Sequence, residues 1–253
     1  MPRIRPEPTP GEVVTVYEGD GSAIVLGAVA GSYRTISGGG MDNVHPLGNP
    51  FLYDPAGLVT MATTAGKVQL THTAPPASPQ HSFLSNALWF LESGALMLPG
   101  LVGPGSFLEV EAPECLTASA NPFARLGMGL YAPYGALVAL PTYGRMSGLE
   151  LQPFNIVGAD EDYFQAGTRH AGGSVLHTAA TALSIGLHTF RVELDWLAGA
   201  PNEMAMTYKI DGVQIGAPQA CGPMDGGHWC AAGLAGRAET WQIGKITAGT
   251  RIY

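Results

Sequence analysis

The segment LHTFRVELDWLAGAPNEMAMTYKIDGVQI, residues 187–215, gives the clearest evidence on the fold class. Apolar and polar residues alternate from Thr189 to Trp196, with the period of two that half-buried strands have. After a break at residues 199–201, a second alternation runs from Met204 to Ile210. Asp211-Gly212 then leads into a third run, and this dipeptide favours a type I′ hairpin because both central residues need a positive φ. The segment therefore predicts three sequential antiparallel strands.

The same residues resemble a known family. His-Thr-aromatic-Arg-Val-Glu at residues 188–193, followed by Tyr-x-Ile-Asp-Gly-Val at residues 208–213, is similar to the concanavalin A-like lectin/glucanase superfamily. That superfamily includes glycoside hydrolases of the laminarinase and agarase type and laminin-G-like modules. The resemblance covers this segment directly and residues 105–253 more weakly. It implies an all-β, two-sheet antiparallel jelly-roll sandwich, and it implies a fold more firmly than a function because one fold hosts many functions.

Composition supports the β assignment and one main domain. The 253 residues include 35 Gly and 20 Pro, and only 13% are charged, so we expect very little helix and many turns. Residues 13–253 are predicted to form one jelly-roll domain with long loops, including an irregular loop at 32–55. A break at residues 100–105 offers the alternative of an N-terminal sub-region, 13–104. Residues 1–12 form an extended arm in this interpretation, because four of them are proline.

Charge and hydropathy exclude some classes of partner. The net charge is −8 with only 12 Lys and Arg, clustered nowhere except at Arg3 and Arg5, so nucleic acid is not expected as a partner. The chain has no run of 18 or more apolar residues, so no membrane-spanning helix is predicted. No apolar stretch follows the N-terminal arginines, so we expect a signal that has been removed or release by lysis, as for a phage virion protein. The expected location is therefore extracellular or on a virion, with other assembly subunits or further copies of the chain as protein partners.

A catalytic strand is the first candidate site that the resemblance suggests. The related glycosidases have Glu-x-Asp-x-x-Glu, or a form one residue shorter, on an inner strand, where two carboxylates flank the scissile bond. The corresponding residues here are 148–154, GLELQPF. Glu150 is the only acid among them, Gln152 takes the place of the helper aspartate, and Phe154 takes that of the acid/base. We therefore expect no catalytic residues, and the alternative is an enzyme that uses Glu150.

A second segment, Tyr163-Phe164-Gln165-Ala166-Gly167, is similar to the Tyr-Phe-x-Ala-Gly strand of alginate lyases with the same fold. In those enzymes this strand follows the strand pair of residues 189–210, whereas here it precedes that pair. The companion Arg-Glu and Gln-x-His motifs are also missing. The segment is accordingly expected to be a strand of a concave binding sheet.

Aromatic and polar side chains on these strands are the better candidates for a binding site. Sugars present apolar C–H faces that stack on aromatic rings, while polar neighbours satisfy the hydroxyl groups. Core packing is the competing interpretation, and it is preferred for Phe190, Trp196 and Tyr208 on the regular strands. The residues predicted to bind carbohydrate are Tyr131, Tyr134, Tyr143, Glu150, Gln152, Tyr163, Gln165 and Trp229.

Metal and disulfide chemistry are weakly indicated. The seven histidines show no metal-ligand spacing, and His188 is expected to pack against or cap the strand that follows it. The acidic run at residues 160–162 offers oxygen ligands for calcium, with a solvated acidic loop as the alternative. Of three cysteines, Cys221 and Cys230 could close a small loop, or all three could be reduced thiols. No other cofactor and no metal site are expected.

Taken together, the sequence predicts a non-catalytic carbohydrate-binding or structural module, with a polysaccharide or cell-surface glycan as its ligand. A phage tail, adhesin or decoration protein is the expected setting. The alternatives are a glycoside hydrolase or lyase that uses Glu150, and a structural subunit that binds no sugar. The number of carboxylates on the concave sheet distinguishes the enzyme from the binding module, because hydrolysis needs two within reach of one bond.

Overall fold

The computed structural model describes residues 11, 13–19, 25–30, 33–37, 41–42, 51–53, 59–72, 95–98, 102–111, 113–116, 125–133, 144–156, 159–170, 173–176, 181–183, 188–199, 204–220, 228–235 and 240–251. Some of the sequence predictions concern other residues and lie outside this set: the arm before Gly11, the strand at 136–140, Tyr134, Tyr143 and Cys221.

Every regular element in the described part of the chain is a β-strand. In chain order they are β1 (Val13–Gly19), β2 (Val25–Ala30), β3 (Tyr33–Ser37), β4 (Met41–Asp42), β5 (Phe51–Tyr53), β6 (Val59–Thr64), β7 (Lys67–His72), β8 (Ala95–Leu98), β9 (Ser106–Glu111), β10 (Glu114–Cys115), β11 (Arg125–Pro133), β12 (Gly144–Ile156), β13 (Ala159–His170), β14 (Gly173–Leu176), β15 (Thr181–Leu183), β16 (Thr189–Trp196), β17 (Met204–Ile210), β18 (Val213–Ala220), β19 (His228–Ala235), β20 (Thr240–Ile243) and β21 (Ile246–Arg251).

The strands form an antiparallel jelly-roll sandwich, as the sequence predicts. One sheet has seven strands in the order β18-β17-β16-β9-β21-β1-β4. The facing sheet follows the order β14-β13-β12-β11-β19-β8-β5-β3-β2, with β15 also paired to β13, which makes ten strands. A third sheet of four strands, β10-β20-β7-β6, was not anticipated. No helix long and apolar enough to cross a membrane occurs among the described residues.

The central hairpin is confirmed. β16 pairs antiparallel with β17, and β17 with β18. Asp211 and Gly212 have φ of 51° and 77°, the pair of positive values that a type I′ turn requires. Ala65 and Gly66 join β6 to β7 with the same combination, φ of 50° and 79°. The Asp211-Gly212 turn therefore lies where the sequence predicts it, and the Ala65-Gly66 turn has the same backbone conformation.

A single hydrophobic cluster joins the three sheets. Leu96, Leu126 and Trp229 come from the ten-stranded sheet, Val192 from the seven-stranded sheet and Trp241 from the four-stranded sheet. Strands before residue 104 pair with strands near the C terminus: β1 with β21, β7 with β20 and β8 with β19. The N-terminal third of the chain thus contributes strands to all three sheets.

Trp196 corrects one expectation about the core. Phe190, Val192 and Leu194 on β16 are buried as predicted, and so is Tyr208 on β17. Trp196 continues the same alternation but is 53% exposed. It is the last residue of β16, and β9 pairs with that strand only as far as Glu193, so the core does not extend to the strand's end. The prediction that Trp196 packs in the core is wrong.

Two further segments differ from the prediction in secondary structure. The irregular loop predicted at 32–55 contains β3, β4 and β5, which pair with β2, β1 and β8. Near the C terminus the sequence predicts one strand, at residues 240–246, but the structure has two strands there, β20 and β21, in different sheets. The chain switches between these sheets at Gly244 and Lys245, where Gly244 N–H donates to the Glu111 carbonyl and Glu111 N–H to the Lys245 carbonyl.

Candidate functional site

Strand register identifies the two faces of the ten-stranded sheet. Residues directly opposite each other on antiparallel strands share a face. Leu126 and Met128 are fully buried in the core and pair with Leu151 and Leu149. Residues at the alternate positions of β11 and β12 therefore lie on the other side, which is called the outer face of the ten-stranded sheet below.

Four of the predicted carbohydrate-binding residues occupy neighbouring positions on this outer face. Glu150 pairs with Gln165, and Gln152 pairs with Tyr163, on the adjacent strands β12 and β13. Glu150 is also opposite Gly127, which places all four on the side away from Leu126 and Met128. We call Glu150, Gln152, Tyr163 and Gln165 the polar patch. Two stretches that the sequence analysis singled out separately are thus brought together by register.

Glycines adjoin the polar patch on the same face. Gly129, Gly148 and Gly167 are opposite one another across β11, β12 and β13, and we call them the glycine row. Gly127 pairs with Gly233 beside Glu150. Glycine has no side chain to cover the backbone, yet Gly129 is buried, as are Gly127 and Gly233. Gly129 has a φ of 146°, a conformation that other residues rarely adopt.

Tyr131 and Met146 lie on the side of the glycine row that is away from the polar patch. Tyr131 pairs with Met146 on β12 and with His228 on β19. Tyr131 is two residues from Gly129 along β11, so it shares the outer face with the polar patch. Trp229, the next residue after His228, is on the opposite side: it is 4% exposed and belongs to the core cluster. The expectation that Trp229 stacks on sugar is therefore corrected, because its ring fills the core.

The outer face has two carboxylates among its described positions on β12 and β13, and they are far apart. Phe154 pairs with Glu161, so Glu161 shares the face with Glu150. The two acids are separated by one strand spacing and four residues along the strand, about 14 Å between Cα atoms. The glycosidase motif in its shorter form also sets two carboxylates four residues apart on a strand, about 13 Å between Cα atoms, so this separation does not exclude a catalytic pair.

The acidic run at residues 160–162 lies within β13 and not in a loop, which corrects that expectation. In a strand, Asp160 and Asp162 lie on one face and Glu161 on the other, so the three cannot converge on one ion. No group of three or more His, Cys, Asp or Glu side chains that could hold a metal occurs in the described part of the chain. Cys230 pairs with Gly129 and Met97 across β11 and β8.

The outer face of the seven-stranded sheet is different, because its charges are paired with one another. Arg191 donates from Nε to Glu193 at 2.6 Å and from Nη1 to Glu109 at 3.2 Å. Lys209 Nζ lies 2.8 Å from Glu193 Oε2. The Arg191 guanidinium also lies 3.8 Å from the ring centroid of Phe107, a cation–π contact.

Glu193 is the centre of this network. Partial burial, the largest single effect, raises the pKa of Glu193, but hydrogen bonds and charge from Lys209 and Arg191 together hold it below its ordinary value. A depression nearby is lined by Val13, Arg191, Glu193 and Arg251 among others, and its volume of about 20 Å³ suits a water molecule and not a sugar ring. This depression is therefore too small for a sugar ring, and the Arg191, Glu193 and Lys209 charges are paired with one another.

His188 has the local structural role that the sequence predicts. Its Nδ1 lies 2.6 Å from Asp211 Oδ2, and its ring packs edge-on against Phe190 with centroids 6.2 Å apart. The other oxygen of Asp211 accepts from Thr189 N–H at 2.8 Å. Desolvation raises the pKa of Asp211, but the hydrogen bonds from His188 and Thr189 and the charge of His188 together hold it below its ordinary value. The contacts of Asp211 with His188 and Thr189 thus link the β17–β18 turn to the start of β16.

Comparison with known proteins gives likeness in shape but not in sequence. No protein-family model matches the chain, and no curated protein sequence matches it. Among solved structures, a mutant of the alginate lyase Aly36B in complex with alginate tetrasaccharide is similar with a TM-score of 0.48 at 11% identity, over 81% of this chain and 88% of that one. Porphyranase B from Zobellia galactanivorans gives 0.41 at 11% identity over 98% of both chains.

A third similar structure is an engineered GH43 glycoside hydrolase with endo-xylanase and exo-arabinofuranosidase activity. It gives a TM-score of 0.46 at 9% identity, over 79% of this chain and 38% of that one. With scores below 0.5, none of these structures supplies a residue-by-residue equivalence for the site.

Proposed function

We propose that this chain is a polysaccharide-binding protein whose ligand lies on the outer face of the ten-stranded sheet. The observation that supports this most is the register that sets Glu150 beside Gln165 and Gln152 beside Tyr163, next to the glycine row. In this proposal the ligand contacts the polar patch on one side of the glycine row and Tyr131 on the other.

The chemistry of these residue types suits a sugar chain. A phenol ring stacks on the apolar C–H face of a pyranose, and amide groups both donate to and accept from hydroxyls. Glu150 accepts hydrogen bonds from hydroxyl groups, so neutral polysaccharides are the ligand class that this surface fits.

The proposed protein binds polysaccharide and does not hydrolyse it. Non-catalytic binding is supported by the sequence of β12, in which Gln152 and Phe154 stand where the glycosidase motif has its second and third acids. The competing function is an enzyme, and the specific observation in its favour is that Tyr163 and Glu150 occupy neighbouring strands of one face. A phenol and a carboxylate could serve as acid and base in a lyase. We also propose that the protein is a component of a phage virion, and this proposal rests on the sequence alone.

A binding assay on the intact protein with matched variants tests the proposal. Laminarin, agar, carrageenan and alginate are offered in affinity electrophoresis, and released reducing ends and unsaturated products are measured in parallel. Tyr163→Ala and Gln165→Ala should each weaken binding of the retained polysaccharide about tenfold or more, since one stacked ring or one hydrogen-bonding amide is lost. Thr207→Ala and Thr247→Ala, on the outer face of the seven-stranded sheet, should bind as the parent does.

Two results would count against the proposal. Binding that is unchanged in Tyr163→Ala and Gln165→Ala but lost in the threonine variants would move the ligand to the other sheet. Turnover that disappears in Glu150→Gln, with binding retained, would replace the non-catalytic function with the enzymatic one.

A further inference from the structure

Asp211-Gly212, the turn between β17 and β18, is a dipeptide whose backbone can rearrange chemically. The side-chain carboxyl group of an aspartate lies close enough to its own main chain for the nitrogen of the next residue to attack it and close a five-membered ring. Glycine favours this attack because it has no Cβ beside its nitrogen. Three Asp-Gly dipeptides occur in the sequence, at residues 20–21, 211–212 and 225–226, and the second of them lies within the described residues.

The rearrangement needs water and no other reactant. The Gly212 nitrogen bonds to Cγ of Asp211 and loses its proton, which leaves together with the hydroxyl of the protonated carboxyl group as water, and a succinimide ring remains. Water then adds to one of the two ring carbonyls. Opening at Cγ restores aspartate, whereas opening at the main-chain carbonyl gives isoaspartate, in which the peptide bond to Gly212 starts from Cγ and the main chain is one carbon longer.

The turn is accessible to this chemistry. The Asp211 side chain is 50% exposed, and Gly212 and Val213 are exposed as well. Among the described residues, only the chain neighbours of Gly212 come within 4 Å of the position that a Cβ on it would occupy. Water can therefore reach the ring that closes here.

The carboxyl group of Asp211 is nevertheless held by the residues at the start of β16. Oδ2 lies 2.6 Å from His188 Nδ1, and Oδ1 accepts a hydrogen bond from Thr189 N–H at 2.8 Å. Asp211 N–H in turn donates to the Thr189 carbonyl at 2.8 Å. Ring closure removes one carboxyl oxygen and moves the other, so it breaks the contacts with both His188 and Thr189.

The same contacts keep the carboxyl group in its unreactive form. Ring closure starts from the protonated carboxyl group, because its hydroxyl leaves as water. Desolvation raises the pKa of Asp211, but the hydrogen bonds from His188 and Thr189 and the charge of His188 together hold it below its ordinary value. The geometry and the charge state of Asp211 thus oppose the reaction together.

We propose that Asp211-Gly212 is a latent isomerisation site, which the contacts of Asp211 with His188 and Thr189 protect. His188 is a positioning residue in this proposal, because it holds the carboxylate and takes no part in the reaction. The β17–β18 hairpin depends on the protection: Ile210 pairs with Val213 across the turn, and an extra main-chain carbon between them is incompatible with a two-residue type I′ turn.

Ageing of the full chain tests this. The parent protein is kept at one mildly acidic pH, folded in buffer or unfolded in guanidinium chloride, and tandem mass spectrometry measures isoaspartate at each Asp-Gly dipeptide. In the unfolded chain all three dipeptides should isomerise at similar rates, because their chemistry is the same. In the folded chain the rate at Asp211 should be lower by about tenfold or more, since hydrogen bonds to a charged group must break before the ring closes.

His188→Ala separates the effect of the contact from that of the turn sequence. It leaves Asp211-Gly212 unchanged and removes the imidazole, so the folded variant should isomerise at Asp211 about tenfold faster than the folded parent. His188→Asn is the matched variant, because its side-chain amide can donate to Asp211 Oδ2, and it should stay close to the parent rate. Circular dichroism verifies that both variants are folded, and in guanidinium chloride both should isomerise as the parent does.

Several results would overturn the proposal. Equal rates at Asp211 in the folded and the unfolded parent would show that the fold gives no protection, and this comparison needs no variant. A folded His188→Ala variant that isomerises as slowly as the parent, or a His188→Asn variant that isomerises as fast as His188→Ala, would show that the contact with His188 is not the cause. No isoaspartate at Asp211 in the unfolded chain would show that the dipeptide is not an isomerisation site.

Discussion

The outer faces of the two large sheets are built from different kinds of residue. On the seven-stranded sheet, Arg191 and Lys209 are engaged with Glu193, and Arg191 also reaches Glu109. On the ten-stranded sheet, the register places one carboxylate, two amides and a phenol beside a row of glycines. Charges that neutralise each other across strands stabilise a sheet but leave little for a ligand. We therefore expect the charged face to contribute to stability, and we propose that the face with the polar patch binds the ligand.

The largest expected effect concerns the inner side of the seven-stranded sheet. Tyr208 is 1% exposed in the core, so Tyr208→Ala should lower the free energy of unfolding by about 3–5 kcal/mol. Denaturant unfolding followed by fluorescence measures this. The folded fraction of the variant should still bind polysaccharide, and a change in its affinity would show that the two sheets do not have separate roles.

An intermediate effect is expected at the ion-pair network. Glu193→Gln should cost about 1–3 kcal/mol, because it removes the charge that Arg191 and Lys209 share in a half-buried place. Glu18→Gln is the matched control: Glu18 is 2.7 Å from Lys245, but their side chains are 49% and 40% exposed. Such a surface pair contributes little, so that variant should unfold as the parent does.

Acid unfolding gives a second test of the contribution that Glu193 makes to stability. The pKa of Glu193 is lower in the folded chain than its ordinary value of 4.5, so its stabilising contribution is present above that pH and is lost as pH falls through the folded pKa. The stability difference between the parent and Glu193→Gln should therefore shrink below about pH 4.5. Unfolding curves at a series of pH values measure it, and a difference that grows toward low pH would contradict the network's role.

The smallest expected effect is at the end of β16. Trp196 is 53% exposed, so Trp196→Ala should destabilise the fold by less than about 1 kcal/mol. Thermal unfolding of this variant beside Phe190→Ala, at a buried position near the start of the same strand, gives the comparison. Equal losses for the two variants would mean that the core extends to the end of the strand.

Local alternation explains which parts of the fold the sequence predicts. The strands at residues 189–196 and 204–210 and the Asp211-Gly212 turn depend on neighbouring residues and were predictable. The exposure of Trp196 depends on where the neighbouring strand stops, which is a property of the whole sandwich. The switch of sheet at Gly244 and Lys245 likewise depends on hydrogen bonds to Glu111, which is distant in the sequence.

In the candidate site, too, the residue types could be predicted from the sequence, but their arrangement depends on strand pairing. Glu150, Gln152, Tyr163 and Gln165 were found from residue type and motif, but their adjacency required the pairing of β12 with β13. The glycine row could not be predicted from neighbouring residues, because Gly129, Gly148 and Gly167 come together only through strand register. The burial of Trp229 likewise follows from its pairing with Leu130 on the core side of β11, which neighbouring residues alone do not reveal.

Hydroxyl-radical footprinting with and without saturating polysaccharide most directly tests whether the ligand lies on the outer face of the ten-stranded sheet, because it needs no substitution. Tyr131, Met146 and Tyr163 report on the outer face of the ten-stranded sheet, and Trp196 and Met204 report on the far end of the seven-stranded sheet. We expect bound polysaccharide to protect Tyr131, Met146 and Tyr163 from oxidation. The oxidation rates of Trp196 and Met204 should stay the same. Protection of Trp196 with Tyr131, Met146 and Tyr163 unaffected would contradict it.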